Sequence, residues 1–140
     1  MTTQLQAVDA ILNAFNQAWS VNSGFPIVWP DKRPAVDVMK QANPWVIVQL
    51  NHRSGNQTSL AGADGTVMWE RQGSMYCEIH TKSGEGATQS YSLAELIVKA
   101  YQKKTISGVT FRGIATKEIG IRGNWFVMNV TVDFYYDEIV

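Results

Sequence analysis

From Asn124 to Asp137 the chain alternates almost without a break. Phe126, Met128, Val130, Val132, Phe134 and Tyr136 point one way; Trp125, Asn129, Thr131, Asp133 and Tyr135 point the other, with Val127 the apolar exception. Successive strand residues face opposite sides of a sheet, so the pattern predicts a strand with one buried face in an antiparallel setting. A second long strand is predicted from Val67 to His80, where Val67, Trp69, Met75, Cys77 and Ile79 share a face. Gly73 keeps that register and is expected to mark a bend or bulge. A strand of this length, at ~3.4 Å per residue, spans roughly 45 Å, whereas a domain of this size is only about 37 Å across. Such strands bend sharply or project as a ribbon, and pairing with another subunit is one common way to cover a ribbon's edges.

The remaining elements follow from local pattern. Val8, Ile11, Leu12, Phe15 and Trp19 have helical spacing over residues 3–19, Thr3 with Gln6 fits a capping box, and Asn22-Ser-Gly24 stops the helix. Phe25 to Pro34 is bracketed by prolines and is predicted to be an edge strand followed by a loop. Asn43 to His52 is a clearer strand, with Val46, Val48 and Leu50 on one face. Residues 53–66 lack any apolar period and are expected to be either a functional loop or a plain hairpin tip. A second helix is predicted at about 88–104, with Leu93, Leu96, Ile97, Ala100 and Tyr101 as its buried stripe. Ser92 with Glu95 offers a capping box there, and Lys103 and Lys104 suit the last turn. Val109 to Arg112 and Ala115 to Ile121 are short strand candidates separated by glycine turns. The predicted order is α-β-β-β-α-β-β-β, a single domain over residues 1–140 with no internal repeat or linker.

Twelve basic residues balance twelve acidic ones, so no global field recruits nucleic acid or an anionic membrane. One cysteine cannot form an internal disulfide, and no Cys/His cluster has zinc spacing. The N-terminus lacks the pattern of a signal peptide, and no apolar run is long enough to cross a bilayer, so synthesis in the cytoplasm is expected. The stretch Tyr76-Cys-Glu-Ile-His80 followed by Lys82-Ser-Gly84-Glu-Gly86 has the look of chemistry. Cys77 and His80, three apart on a strand, face opposite ways and cannot form a nucleophile–base pair. Cys77 is expected to be a buried, inert thiol. The glycine turn lacks the lysine and the third glycine of phosphate-binding loops, and Glu85 places negative charge where a phosphate would sit. Asp133 and Asp137 share the more polar face of the last strand, but no further ligand joins them. No catalytic residue, cofactor or metal site is expected, and the chain does not read as an enzyme.

Taken in order, several stretches together resemble the bacteriophage tail terminator, or tail-completion, family with the lambda-type terminator fold. They are Ala14-Phe-Asn-Gln-Ala-Trp19, Phe25-Pro-Ile-Val-Trp29-Pro, Asn43-Pro-Trp45-Val-Ile-Val, Glu70-Arg-Gln-Gly73, Lys82-Ser-Gly84-Glu-Gly86, Leu93-Ala-Glu-Leu-Ile, Gly108-Val-Thr-Phe111 and Gly123-Asn-Trp125 through Glu138. The likeness runs from about residue 8 to 138. It implies an α+β subunit with two helices packed on a mainly antiparallel β-sheet with two long strands. It also implies a homo-oligomer, commonly a hexameric ring, that caps the tail tube protein, ends tube polymerisation and presents a head-tail joining surface to head-side connector proteins. Such a protein resides in the virion near the head-tail junction after assembly in the host cytoplasm. It has no membrane partner and no specific nucleic-acid binding, although DNA is free to pass through the ring. The alternatives are another neck or tail-tube component of related fold and, less favoured by the residues, an uncharacterised enzyme. Within this reading Arg53, Arg71 and Glu85 are the residues expected to make polar contacts between subunits or with the tube.

Overall fold

The computed structural model describes residues 3–30, 44–53, 55–57, 65, 67–84 and 87–139. Along them run α1 (Gln4–Asn22), β1 (Ile27–Val28), β2 (Trp45–His52), β3 (Asn56–Gln57), β4 (Met68–Lys82), α2 (Thr88–Tyr101), β5 (Thr105–Ile106), β6 (Val109–Arg122) and β7 (Trp125–Ile139). The fold is α+β, with two helices and one sheet, but the sheet is not the one expected. It is mixed and curls into a half-barrel, ordered β1-β2-β4-β7-β6-β5 with β3 beside β4. Three strands rather than two are long, β4 and β7 at 15 residues and β6 at 14.

Two physical causes account for the difference. β1 pairs with β2 in parallel, Ile27 opposite Val46. Pro26 and Pro30 flank this two-residue strand and confine it to an edge. The chain between Val28 and Trp45 is long enough for the crossover of about a dozen residues that parallel pairing requires. The second cause is Gly113, which is no turn. β6 stays paired with β7 throughout, and its register skips a residue between Phe111 and Gly113 and again between Glu118 and Gly120. These are β-bulges, in which an extra residue bends the strand and increases its twist. The first leaves Arg112 as the extra residue and keeps Ile114 opposite Val132. Without it every later side chain of β6 would change faces.

Both helices lie on one face of the sheet. α1 contributes Ala7, Ile11, Phe15 and Trp19 and α2 contributes Leu93, Ala94, Ile97 and Tyr101, against Val46, Val48, Met75, Cys77, Ile79, Met128, Val130, Val132, Phe134 and Tyr136. The buried Tyr101 hydroxyl donates to the Ile11 carbonyl at 2.8 Å and ties the helices together. At the start of α1 the Thr3–Gln6 capping box forms as expected. α2 differs: it begins at Thr88 with no side-chain cap, and it ends at Tyr101, so Lys103 and Lys104 lie beyond it. Lys103 takes a left-handed backbone, φ 57°, which the helix cannot continue through. The buried Ser90 of the first turn shares a hydrogen bond of 2.6 Å with Thr81 on β4, so the helix start is fixed by the sheet and not by the Ser92–Glu95 pair.

Gly73 also departs from expectation. Pairing runs through it without a bulge, His52 on one side and Phe134 on the other. A Cβ at this position would lie 2.6 Å from Phe134 Cζ and 2.7 Å from the Asn51 carbonyl oxygen. The glycine is required because a ring and a neighbouring backbone close over it.

Candidate functional site

Strand alternation divides the polar residues of the long strands between the helix-bearing face and the opposite, open face. On the open face the even residues of β4 and the odd residues of β7 meet: Ser74 opposite Asp133, Gln72 opposite Tyr135, and Glu70 opposite Asp137. This is the end of the ribbon where β4 begins and β7 finishes. Arg53, just past β2, is anchored there by its backbone N–H, which donates to the Gln72 carbonyl at 2.8 Å. Its guanidinium Nη1 donates to Ser74 Oγ at 2.6 Å, and Ser74 donates to Asp133 Oδ1 at 2.5 Å. The Arg53–Asp133 separation itself is 3.9 Å. The bulge in β6 sends Arg112 over the Tyr135 ring, with Cζ 3.7 Å from the ring centroid. Arg112 Nη2 lies 4.0 Å from Glu70 Oε1, which accepts a hydrogen bond from Gln72 Nε2 at 2.9 Å. Between the two arginines is a cleft of about 260 Å³ lined by Arg53, Gln72, Arg112, Gly113, Asp133 and Tyr135, with Phe134 at its margin.

The helix-bearing face of the same end is built differently. Arg71 Nε donates to Glu138 Oε2 at 2.6 Å, both side chains being half-buried. Beside them His52 Nε2 and Tyr136 Oη share a hydrogen bond of 2.9 Å, and the imidazole stands edge-on to Phe134. Burial, and then the Arg71 charge, hold the His52 pKa below its ordinary value. Burial raises that of the Tyr136 phenol, with Arg71 opposing. At neutral pH both are uncharged, so this pair carries a hydrogen bond without titrating.

Arg53 and Arg71 therefore both sit at one end of the long strands, but on opposite faces of the sheet. They do not form one patch. Glu85 lies outside the described residues, as do Gly86 and most of the 53–66 stretch. Of that stretch, Gly55 backs onto the Trp69 ring, and Asn56–Gln57 pair with β4 as β3. Ser74, Gln72, Tyr135 and Arg112 were not singled out from sequence. The first three were visible as the polar parity of two alternating strands; Arg112 was hidden by the bulge.

Cys77 and His80 are both taken up in packing. Cys77 is fully buried on the helix-bearing face, where desolvation pushes its thiol well above the ordinary range. His80 is on the open face, stacked on Trp45 with ring centroids 3.9 Å apart. Its Nε2 lies 3.1 Å from Glu78 Oε1, and Glu78 in turn lies 3.6 Å from Arg122. Burial lowers the His80 pKa; Glu78 opposes and Arg122 adds to the lowering. His52 stands opposite Gly73, four positions along β4 from Cys77. Among the described residues no group of three or more His, Cys, Asp or Glu side chains could hold a metal ion. No helix among them is long and apolar enough to cross a membrane.

No protein-family model matches the chain, and no curated protein matches it. Among solved structures, that of a protein whose designation states no function superposes on 94% of this chain and 95% of its own, with a TM-score of 0.63 at 12% sequence identity. At that identity the likeness carries the fold alone.

Proposed function

We propose that the chain is a structural subunit of a phage tail that forms a ring, hexameric in the family it resembles, capping the tail tube and ending its polymerisation. The ring offers its other side to head-side connector proteins. The tail-specific part of this reading comes from the sequence resemblance over residues 8–138. The structural observation that supports assembly is the outer edge of β6. β5 covers that edge only at Val109 and Thr110. Beyond Thr110 no described strand pairs with it, although β6 continues to Arg122. A long edge with unpaired N–H and C=O groups is a template for another chain unless it is blunted. Between its two bulges the edge runs in unbroken register from Gly113 to Glu118, and at the second bulge and beyond it Ile119 and the 69%-exposed Ile121 add apolar contact to the main-chain groups on offer. A ring gathers several such contacts, and avidity then stops polymerisation without a single tight site. A different neck or tube component of related fold would use the same edge.

Electron microscopy of the protein mixed with tail tubes separates these readings. Rings at one tube end are expected; lateral decoration or no binding overturns the terminator role. Replacing Arg53 and Arg71 together by alanine is expected to weaken assembly while circular dichroism reports an intact fold. Unchanged assembly would remove both arginines from the contact.

A further inference from the structure

The cleft between Arg53 and Arg112 is built to a particular chemistry. At about 260 Å³ it lies below the roughly 300–1,000 Å³ of sites for drug-sized ligands and suits one side chain or small group. Its two cations are positioned before anything enters. The 2%-exposed Ser74 fixes Arg53 through the 2.6 Å hydrogen bond, and stacking on Tyr135 fixes the plane of Arg112. Neither guanidinium is consumed by its nearby carboxylate, because separations of 3.9 Å to Asp133 and 4.0 Å to Glu70 exceed hydrogen-bond length. A guanidinium carries five N–H donors in a planar fork that matches a carboxylate bidentately. Among the described residues, one of these donors on Arg53 is engaged, that to Ser74. Asp133 and Glu70 balance the two positive charges, so a guest is selected by geometry more than by field. With no net field to offset it, the larger desolvation cost of a phosphate dianion disfavours that guest against a singly charged carboxylate.

We propose that this cleft seats one Asp or Glu carboxylate presented by a neighbouring polypeptide in the assembly. The chemistry rests on the cleft, and the source of the carboxylate rests on the ring-forming reading above. The carboxylate enters between the two guanidinium edges, with the Tyr135 ring beneath Arg112 as a platform. It then acts as a buried anchor within a larger polar contact.

The test uses the isolated, isotope-labelled full chain without tubes, so its failure leaves tube capping untouched and failure of tube capping leaves its result standing. The probes are the blocked peptides Ac-Gly-Glu-Gly-NH2 and Ac-Gly-Gln-Gly-NH2, sodium acetate and inorganic phosphate. The readouts are the Nε–Hε resonances of Arg53 and Arg112 and the amide of Gly113. The glutamate peptide is expected to give saturable shifts with affinity at least tenfold above the glutamine peptide and above acetate. Arg112→Lys, which keeps the charge and loses the fork, is expected to weaken binding about fivefold, and Arg53→Gln to abolish it. Equal response to the two peptides, or tighter binding of phosphate, overturns the carboxylate assignment. Acetate binding as tightly as the glutamate peptide overturns the polypeptide source.

Discussion

Gly73 is the position at which the fold of the ribbon can be tested most directly. In Gly73→Ala the new methyl would sit 2.6 Å from Phe134 Cζ, 3.0 Å from Cε2 and 2.7 Å from the Asn51 carbonyl oxygen. The ring can tilt, but the Asn51 oxygen belongs to the backbone of β2, whose ladder with β4 is continuous from Trp45 to His52. Forcing a methyl into a filled core costs about 1–3 kcal/mol. The backbone at this glycine is not left-handed, so alanine also recovers about 0.4–1 kcal/mol by restricting the unfolded chain. Two contacts under 3.0 Å, one of them to backbone, put the packing cost in the upper part of its range, about 1.5–3 kcal/mol, so the net loss is about 0.5–2.6 kcal/mol. At about 2.1 cal/mol/K per residue, the unfolding entropy of 140 residues is about 0.3 kcal/mol/K, so Tm is expected to fall by about 2–9 °C. Thermal unfolding followed by circular dichroism at low protein concentration measures this. Phe134→Leu in the same background should recover part of the loss, because it removes the ring contacts but not the carbonyl contact, and the pair is then non-additive. An unchanged or raised Tm in Gly73→Ala refutes the close approach of Phe134 and β2 across this glycine.

Two further outcomes follow from the buried titratable groups. His52 and His80 both have pKa values held below the ordinary 6.5, chiefly by burial, so the unfolded chain binds more protons than the folded one near and below that pH. Their contribution to stability is complete above pH 6.5 and is lost as the pH falls through the folded values. Urea unfolding should therefore give a lower midpoint at pH 5.5 than at pH 7.5, with the difference reduced in a His52→Gln/His80→Gln variant. A higher midpoint at pH 5.5 contradicts the assigned direction. Cys77 is buried with its thiol pushed up by desolvation. Ellman's reagent should modify it only as fast as the chain opens, and prompt modification of the native protein would place the thiol outside the core.

Alternation made β4 and β7 legible nearly residue by residue, because one face of each is packed under helices and any slip would expose that whole set. It misread β6 for an equally definite reason. Phe111 and Ile114 face the same side, opposite Phe134 and Val132, although they differ in parity. A rule of period two therefore sees two strands out of phase with a glycine between them. The residue that breaks the phase is Arg112, and the same displacement places its guanidinium over Tyr135. The site and the error thus have one origin: a bulge is invisible to periodicity and re-aims a side chain. Arg53 is visible in the sequence as the one cation of the unpatterned 53–66 stretch. Its partner Ser74 lies on another strand, and only the β2–β4 register brings the two together. Ile119 and Ile121 extend the point. They belong to a strand whose Val109 and Phe111 are buried and whose Ile114 is half-buried, yet a second bulge precedes Gly120 and both remain exposed. Among the described residues nothing pairs with β6 beyond Thr110, where β5 stops. A strand from another subunit laid along β6, as the ring-forming proposal has it, would cover both isoleucines.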